Sequence, residues 1–328
     1  MRKEFDACLA LFEHKQRFVL STHVNPDPDA IGSEIALASF LKSRGKDVAV
    51  LNHSATPANC LFLDPERSIA QFSAEQHADL ISTAEVIVVL DANQLDRLQS
   101  LHPFVLKSAA IKICIDHHLE RQPFADLYIV DEEAAATGEI LFNLFLHCDP
   151  KSVTKEIATA LYAAIMTDSG SFRFPKTDAA LHRVVADLIE RGADPAQIYY
   201  ETYEQGSAKR LQLLGHVLST LKIDHEGRVA SVYASRAMFA KTGTTEEDTE
   251  NFVTYTLTIA GVQVGLMFTE LAEGVKISFR SRGEIAVNKL AQDFGGNGHK
   301  NAAGARTNTQ QLDGIISRVV ERAKAYLV

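Results

Sequence analysis

The chain has 328 residues, 46% hydrophobic and 23% charged, which is long enough for two domains with separate cores. It holds no apolar run near the length of a bilayer span. Its start, Met1-Arg2-Lys3-Glu4-Phe5-Asp6, also lacks the order of a secretory signal, so a cytoplasmic protein without membrane contact is expected. A net charge of −9 argues against a surface that tracks long duplex nucleic acid, although a short anion could bind if divalent cations neutralise an acidic cluster.

In chain order, residues 4–15 read as an amphipathic helix and 17–22 as a buried strand. The loop that follows, His23-Val24-Asn25-Pro26-Asp27-Pro28-Asp29, packs an imidazole and two carboxylates into seven residues. Pro26 and Pro28 bias Asn25 and Asp27 towards extended backbone, so the carboxylates should project from a stiff segment. The plain alternative is an ordinary loop in which Asp29 caps the next helix, read over 30–44 and stopped by Gly45.

Alternation continues with a strand over 46–52, a short helix over 58–63, a helix over 73–83 and a strand over 85–90 that ends in Asp91. A helix over 94–107 leads to a buried strand, 110–115, ending in Asp116-His117-His118. A strand over 127–130 and a helix over 137–146 come next. An apolar helix over 153–166 then runs into Thr167-Asp168-Ser169-Gly170-Ser171-Phe172, followed by a helix over 177–190. Short apolar runs separated by helices indicate an α/β fold with a doubly wound, mostly parallel sheet.

The texture changes at 191–210, which reads as a linker with short helical content. Residues 211–328 then read as a smaller α+β domain, with the cleft between it and domain 1–190 as the binding region. Its elements are a helix to about 220, strands over 221–223, 228–233, 262–269 and 274–280, and helices over 235–241, 286–294 and 312–326. Cys8, Cys60, Cys114 and Cys148 are widely spaced in apolar surroundings and read as reduced core residues.

Parallel strands finish on one edge of a sheet, so His23, Asp27, Asp29, Asp91, His117, His118 and Asp168 can meet although remote in sequence. Carboxylate and imidazole donors without thiolate suit manganese or a similar borderline-hard ion. About six ligands suggest two ions sharing one carboxylate. Each acid or imidazole alone is commonplace at a strand end, and the weight lies in their joint occurrence.

The His23–Ser33 stretch, the strand ending in Asp91, the Asp116-His117-His118 signature and the Thr167–Phe172 segment resemble, in order, the four motifs of the DHH phosphoesterases. Phe279-Arg280-Ser281 and the Gly-rich segment 295–304 resemble the first type of DHH-associated domain. The compact layout is most similar to the family's bifunctional oligoribonucleases and pAp phosphatases. That resemblance implies hydrolysis of very short single-stranded RNAs to mononucleotides and dephosphorylation of 3'-phosphoadenosine 5'-phosphate (pAp). It also implies two manganese ions, with magnesium or cobalt as substitutes. His23, Asp27 and Asp91 match the ligands of one ion, and Asp29, Asp91, His117 and Asp168 those of the other, so Asp91 would bridge. His118 matches a non-ligand position, from which it could donate a hydrogen bond to the scissile phosphate or assist the leaving oxygen, its plain alternative being support of the metal ligands; Asp116 is expected to orient the pair rather than bind metal.

Arg280, Ser281, Gly296, Asn297, Gly298 and His299 form the expected substrate-binding set, with exposed backbone N–H groups cradling the far end of a nucleotide. Asn297 stands where a third glycine is usual, and Ser169 where threonine is common. Competing readings are a phosphodiesterase for pApA-like dinucleotides, a RecJ-like single-strand exonuclease, and a metal-dependent nucleotide sensor without turnover. A homodimer is left open.

Overall fold

A computed structural model describes residues 1–119, 121–308 and 311–327, with the His299 side chain outside the description. The chain divides into two compact units, Met1–Gln205 and Gly206–Val328.

The first unit runs α1 (Arg2–His14), β1 (Arg17–Ser21), α2 (Pro28–Lys42), β2 (Asp47–Asn52), β3 (Ile69–Gln71), α3 (Ala74–Thr83) and β4 (Val86–Leu90). It continues with α4 (His102–Lys107), β5 (Ile111–Asp116), β6 (Leu127–Val130), α5 (Thr137–Cys148), α6 (Lys155–Asp168), α7 (Ala179–Glu190) and α8 (Pro195–Tyr203). The strand order is β3-β2-β1-β4-β5-β6, and every pairing is parallel. Side chains alternate along β1, so Phe18 and Leu20 enter one apolar cluster and Val19 the cluster on the opposite face. Burial on both faces explains the unbroken apolar run Val86–Leu90, every residue of which is buried. The chain leaves β1 for β2 on one side and returns to β4 on the other. Such a reversal opens a crevice beyond the carboxyl ends of the two strands.

Helix α2 is buried along nearly its whole length because it lies flush against α6. Gly32 permits this contact: a Cβ there would sit 2.4 Å from the Ala160 carbonyl oxygen. Asp27, rather than Asp29, is the N-cap, accepting from the amides of Asp29 at 3.0 Å and Ala30 at 3.1 Å, with Pro28 opening the helix. Asp29 is thereby released from capping its own helix.

Several expected elements differ. The helix read over 94–107 is a 3₁₀ stretch, Leu95–Leu101, followed by α4, because Gln99 takes a left-handed φ of 48° and Pro103 opens a new helix. The short strand β3 was not read. The short helical content read within the linker is α8, 9 residues long, whose Ile198 and Thr202 are buried in the first unit. Cys8, Cys60 and Cys114 are buried free thiols as expected, but Cys148, at the end of α5, is exposed.

The second unit comprises α9 (Ala208–Leu218), β7 (Lys222–Asp224), β8 (Val229–Ala234), α10 (Arg236–Thr242), β9 (Val264–Glu270) and β10 (Val275–Ser281). It ends with α11 (Val287–Gln292), β11 (Asn297–His299), β12 (Ala302–Thr307) and α12 (Leu312–Ala323). Its sheet order is β11-β12-β10-β9-β8-β7, antiparallel except for β8 beside β9. The Gly-rich segment is therefore a strand pair rather than a loop. Its Gly and Ala residues are poor strand formers that gave no alternating pattern.

A buried polar strut ties three segments of the first unit together. The Asn52 amide donates to Glu34 Oε2 at 2.8 Å, the Thr22 amide donates to Asn52 Oδ1 at 3.2 Å, and the Thr22 hydroxyl donates to the Leu90 carbonyl at 2.8 Å. Thr22 precedes His23 and Leu90 precedes Asp91, so the strut fixes the backbone beside both. Burial, opposed by the Asn52 hydrogen bond, pushes the Glu34 carboxyl up to about 8.

That carboxyl keeps its proton in the folded chain between about pH 4.5 and about pH 8, while an exposed one has lost it. Folding thus takes up a proton in this window, and stability falls as pH rises. Glu34→Gln removes this group's share of the dependence. In urea titrations the variant should gain on the wild type by a few kcal/mol between about pH 5 and about pH 9.

Candidate metal centre

The carboxyl ends of β1, β4 and β5 deliver His23, Asp91 and Asp116-His117-His118 to one crevice, the start of α2 adds Asp27 and Asp29, and the last residue of α6 is Asp168. The ligand atoms of His23, Asp27 and Asp91 lie within 4.8 Å of one another. The same holds for Asp29, His117 and Asp168, and for Asp91, His117 and His118. All six residues expected to hold metal are therefore brought together.

His23 Nε2 is 3.3 Å from Asp91 Oδ2. His117 Nε2 is 3.1 Å from Asp168 Oδ2, 3.5 Å from Asp91 Oδ1 and 3.8 Å from Asp29 Oδ2. The opposite ring nitrogens face carbonyls: His23 Nδ1 lies 2.9 Å from the Val24 oxygen, and His117 Nδ1 3.3 Å from that of Ala134. Those contacts favour a proton on Nδ1 and turn both Nε2 atoms inward, the arrangement of a metal-binding imidazole.

Burial dominates the electrostatics. It lifts the Asp29 carboxyl, with Asp168 adding repulsion, to about 7, and it raises Asp91 well above the carboxylate range with help from Asp29 and Asp27. Burial also lowers His23. At His117 burial pulls the other way from its surroundings, and the Asp168 and Asp29 carboxylates win, pushing the imidazole up to about 9. In such a cage the negative charge outweighs the one proton that His117 takes up. His117 Nε2 is buried among three carboxylates, 3.1 Å from Asp168 Oδ2, without a well-aligned hydrogen bond. A buried ring nitrogen among several carboxylate oxygens fits a divalent cation, and the absence of thiolate favours a hard or borderline-hard one.

Backbone and hydroxyl groups hold the carboxylates. Asp29 Oδ2 accepts from the Thr137 amide at 2.8 Å, and Oδ1 accepts from the Gly138 amide at 3.0 Å, so α2 supplies the acid that caps α5. The Thr137 hydroxyl donates to Asp91 Oδ1 at 3.0 Å. Asp91 itself takes a left-handed φ of 53°, sparsely populated for a residue with a side chain, and its amide donates to the Ile115 carbonyl at 3.0 Å. Sequence reading missed Thr137. The available signal was the run Ala134-Ala135-Ala136 before a helix that lacks a capping side chain of its own.

His118 is part-exposed, and its Nδ1 donates to Asp116 Oδ1 at 2.8 Å. Burial would raise Asp116, but the His118 hydrogen bond holds its carboxyl below the usual range. Asn93, also missed, is buried and donates to the His118 carbonyl at 2.9 Å and to that of Leu119 at 3.0 Å, which clamps the loop after β5.

In the second unit the expected substrate set divides. Ser281 is buried and donates to the Ile285 carbonyl at 2.6 Å, while Asn301 donates to its oxygen at 2.8 Å, so this hydroxyl closes a turn. The amide cradle is not formed at the glycines either. The Gly295 and Gly296 amides donate to the Gln292 and Ala291 carbonyls, and the Gly298 amide donates to Asn297 Oδ1 at 2.8 Å. Gly296 is needed for packing, since a Cβ would meet the Gly304 oxygen at 2.2 Å. The left-handed positions are Gly295 and Gly298, not Asn297, so the departure at Asn297 leaves the backbone unstrained. The register sets His299 opposite Ala302, and Ala302 opposite Arg280, in one cross-strand row. The His299 side chain itself is outside the described residues. Arg280 is half-buried and donates to the Phe279 carbonyl at 3.0 Å, with burial lowering its pKa.

A switch-point crevice lined by acids and imidazoles defines the class: an α/β protein with a candidate divalent-metal centre. Residues 17–165 match the DHH family, N-terminal domain, and residues 228–325 match the DHHA1 domain. The chain belongs to the DHH family of phosphoesterases. It is 31% identical over 315 residues to the bifunctional oligoribonuclease and PAP phosphatase NrnA of Thermus thermophilus, covering 94% of this chain and 89% of that protein. To the Bacillus subtilis protein of the same name it is 28% identical, covering 93% of each. An exopolyphosphatase-related protein of Bacteroides fragilis superposes with a TM-score of 0.94 at 31% identity, over 99% of this chain and 97% of the other. The exonuclease RecJ bound to manganese shares the fold, with a TM-score of 0.60 at 14% identity over 99% and 95%.

Thr137→Val deletes the hydroxyl that steadies Asp91 and keeps the α5 amides on Asp29. Calorimetric titration with manganese should show affinity weakened about 10- to 100-fold, with the thermal midpoint nearly unchanged.

Proposed function

We propose that the protein is a manganese-dependent phosphohydrolase that degrades very short RNAs to mononucleotides and removes a phosphate from pAp, acting in the cytoplasm. The observation that carries this reading is the convergence of His23, Asp27, Asp29, Asp91, His117 and Asp168 at the switch point. The names of the Thermus and Bacillus relatives supply the substrates.

His23, Asp27 and Asp91 would hold one ion, and Asp29, Asp91, His117 and Asp168 the other, with Asp91 common to both. When bound, the two ions supply a nucleophilic water at neutral pH and counter-charge for the phosphoryl oxygens. The chain's own part is positioning. Asp116 orients the His118 imidazole through Nδ1, which leaves the other ring nitrogen to donate a hydrogen bond to the scissile phosphate or a proton to the leaving oxygen. Asn93 fixes the backbone from which that ring projects. Arg280, in one cross-strand row with His299, offers a cation for the distal part of a nucleotide.

A manganese-supplemented panel over pAp, pApA and RNAs of increasing length tests the reading. Wild-type protein should turn over pAp and di- to pentanucleotides, and EDTA should stop it. Rates that climb with chain length would instead indicate an exonuclease of the RecJ kind. Asp91→Ala should lose both activities with an unchanged circular dichroism spectrum, and retained turnover in that variant would remove Asp91 from the centre.

A further inference from the structure

Beyond Asp168 the backbone takes three successive left-handed residues, Gly170, Ser171 and Phe172. The Tyr203 hydroxyl lies beside Ser171, within electrostatic reach of Arg173 and Asp168. Tyr203 and Tyr199 are one helical turn apart on α8, with ring centroids 5.0 Å apart and planes inclined at 57°. Both are exposed, at 46% and 43%, whereas Ile198 and Thr202 anchor the buried side of α8. The tyrosine pair is therefore not what holds the helix in place.

We infer that Tyr199 and Tyr203 form a stacking platform for the nucleobase of a nucleotide whose phosphate lies at the Asp168 side of the centre. This rests on the proposed phosphohydrolase reading and adds to it a base-binding subsite. The acidic centre recognises only the phosphate end of such a substrate. A planar, uncharged base needs an aromatic face, and every base presents one, so stacking is tolerant of sequence. At 57° the two rings do not share one face, so one ring stacks on the base and the other backs it from the side. The chain has no Trp, so tyrosine is its largest aromatic surface.

The absence of Trp also makes the test direct. Tyr203→Trp introduces the only indole and keeps an aromatic face. In manganese buffer, AMP should quench that indole, and ribose 5-phosphate, which carries the same phosphate without a base, should not. Equal responses to the two ligands, or no response to AMP, would overturn the platform. A second measurement uses pAp hydrolysis: Tyr203→Ala should raise KM about tenfold or more at unchanged kcat, and Tyr203→Phe should restore it. If Tyr203→Phe is as impaired as Tyr203→Ala, the hydroxyl serves only to hold the Ser171 loop and the inference fails. Turnover of pAp without AMP quenching refutes the platform and spares the enzymatic reading. Selective quenching without turnover does the reverse.

Discussion

Everything at the centre depends on one electrostatic constraint: carboxylates are gathered where solvent cannot separate their charges. Asp29 and Asp91 are buried and repel each other and Asp168, so both bind protons far more readily than free carboxylates do. A proton on His117 relieves part of that repulsion. A divalent ion would relieve more, because it can meet several oxygens at once and needs no hydrogen-bond geometry. The same carboxylates would be poor structural elements elsewhere, since buried acids without partners cost stability.

Holding such a cluster requires backbone that cannot relax away from it. The reversal of strand order between β1 and β4 sets His23 and Asp91 side by side, and the Glu34–Asn52–Thr22 strut ties the residues immediately before each of them. The α5 terminus grips Asp29 through two amides, and the Thr137 hydroxyl reaches Asp91. The left-handed backbone at Asp91 persists because these contacts over-determine it. Close packing of α2 on α6 through Gly32 fixes the separation of the helices that carry Asp29 and Asp168.

Much of this was legible because two strong signals coincided. Continuous apolar runs marked most of the parallel strands, and those of β1, β4 and β5 led into an acid or imidazole. Asp27 and Asp29 were distinguishable as a pair but not in role: only the structure shows that Asp27 caps α2 while Asp29 caps α5. Thr137, Asn52 and Asn93 escaped because a lone polar residue has no periodicity, and its partner lies on another element. The hairpin of β11 and β12 was hidden by its Gly and Ala content, and with it the fact that the glycine amides have partners. Ser281 sat within a family motif, and a motif cannot say whether a hydroxyl faces a ligand or closes a turn.

The acidity of the chain bears on substrate size. A phosphate entering the centre meets whatever cations the carboxylates hold, but each further phosphate of a longer strand meets a surface with a net charge of −9. Repulsion is screened beyond about 8 Å at physiological ionic strength, so the penalty comes from phosphates close to the protein and accumulates with each one that must lie there. A long strand would need a row of Lys and Arg to offset this, and it would gain affinity steeply with length. A substrate of a few nucleotides places few phosphates near that surface and makes no such demand. The acidic composition and the clustering of ligands at a single crevice therefore favour the same class of substrate, a short one.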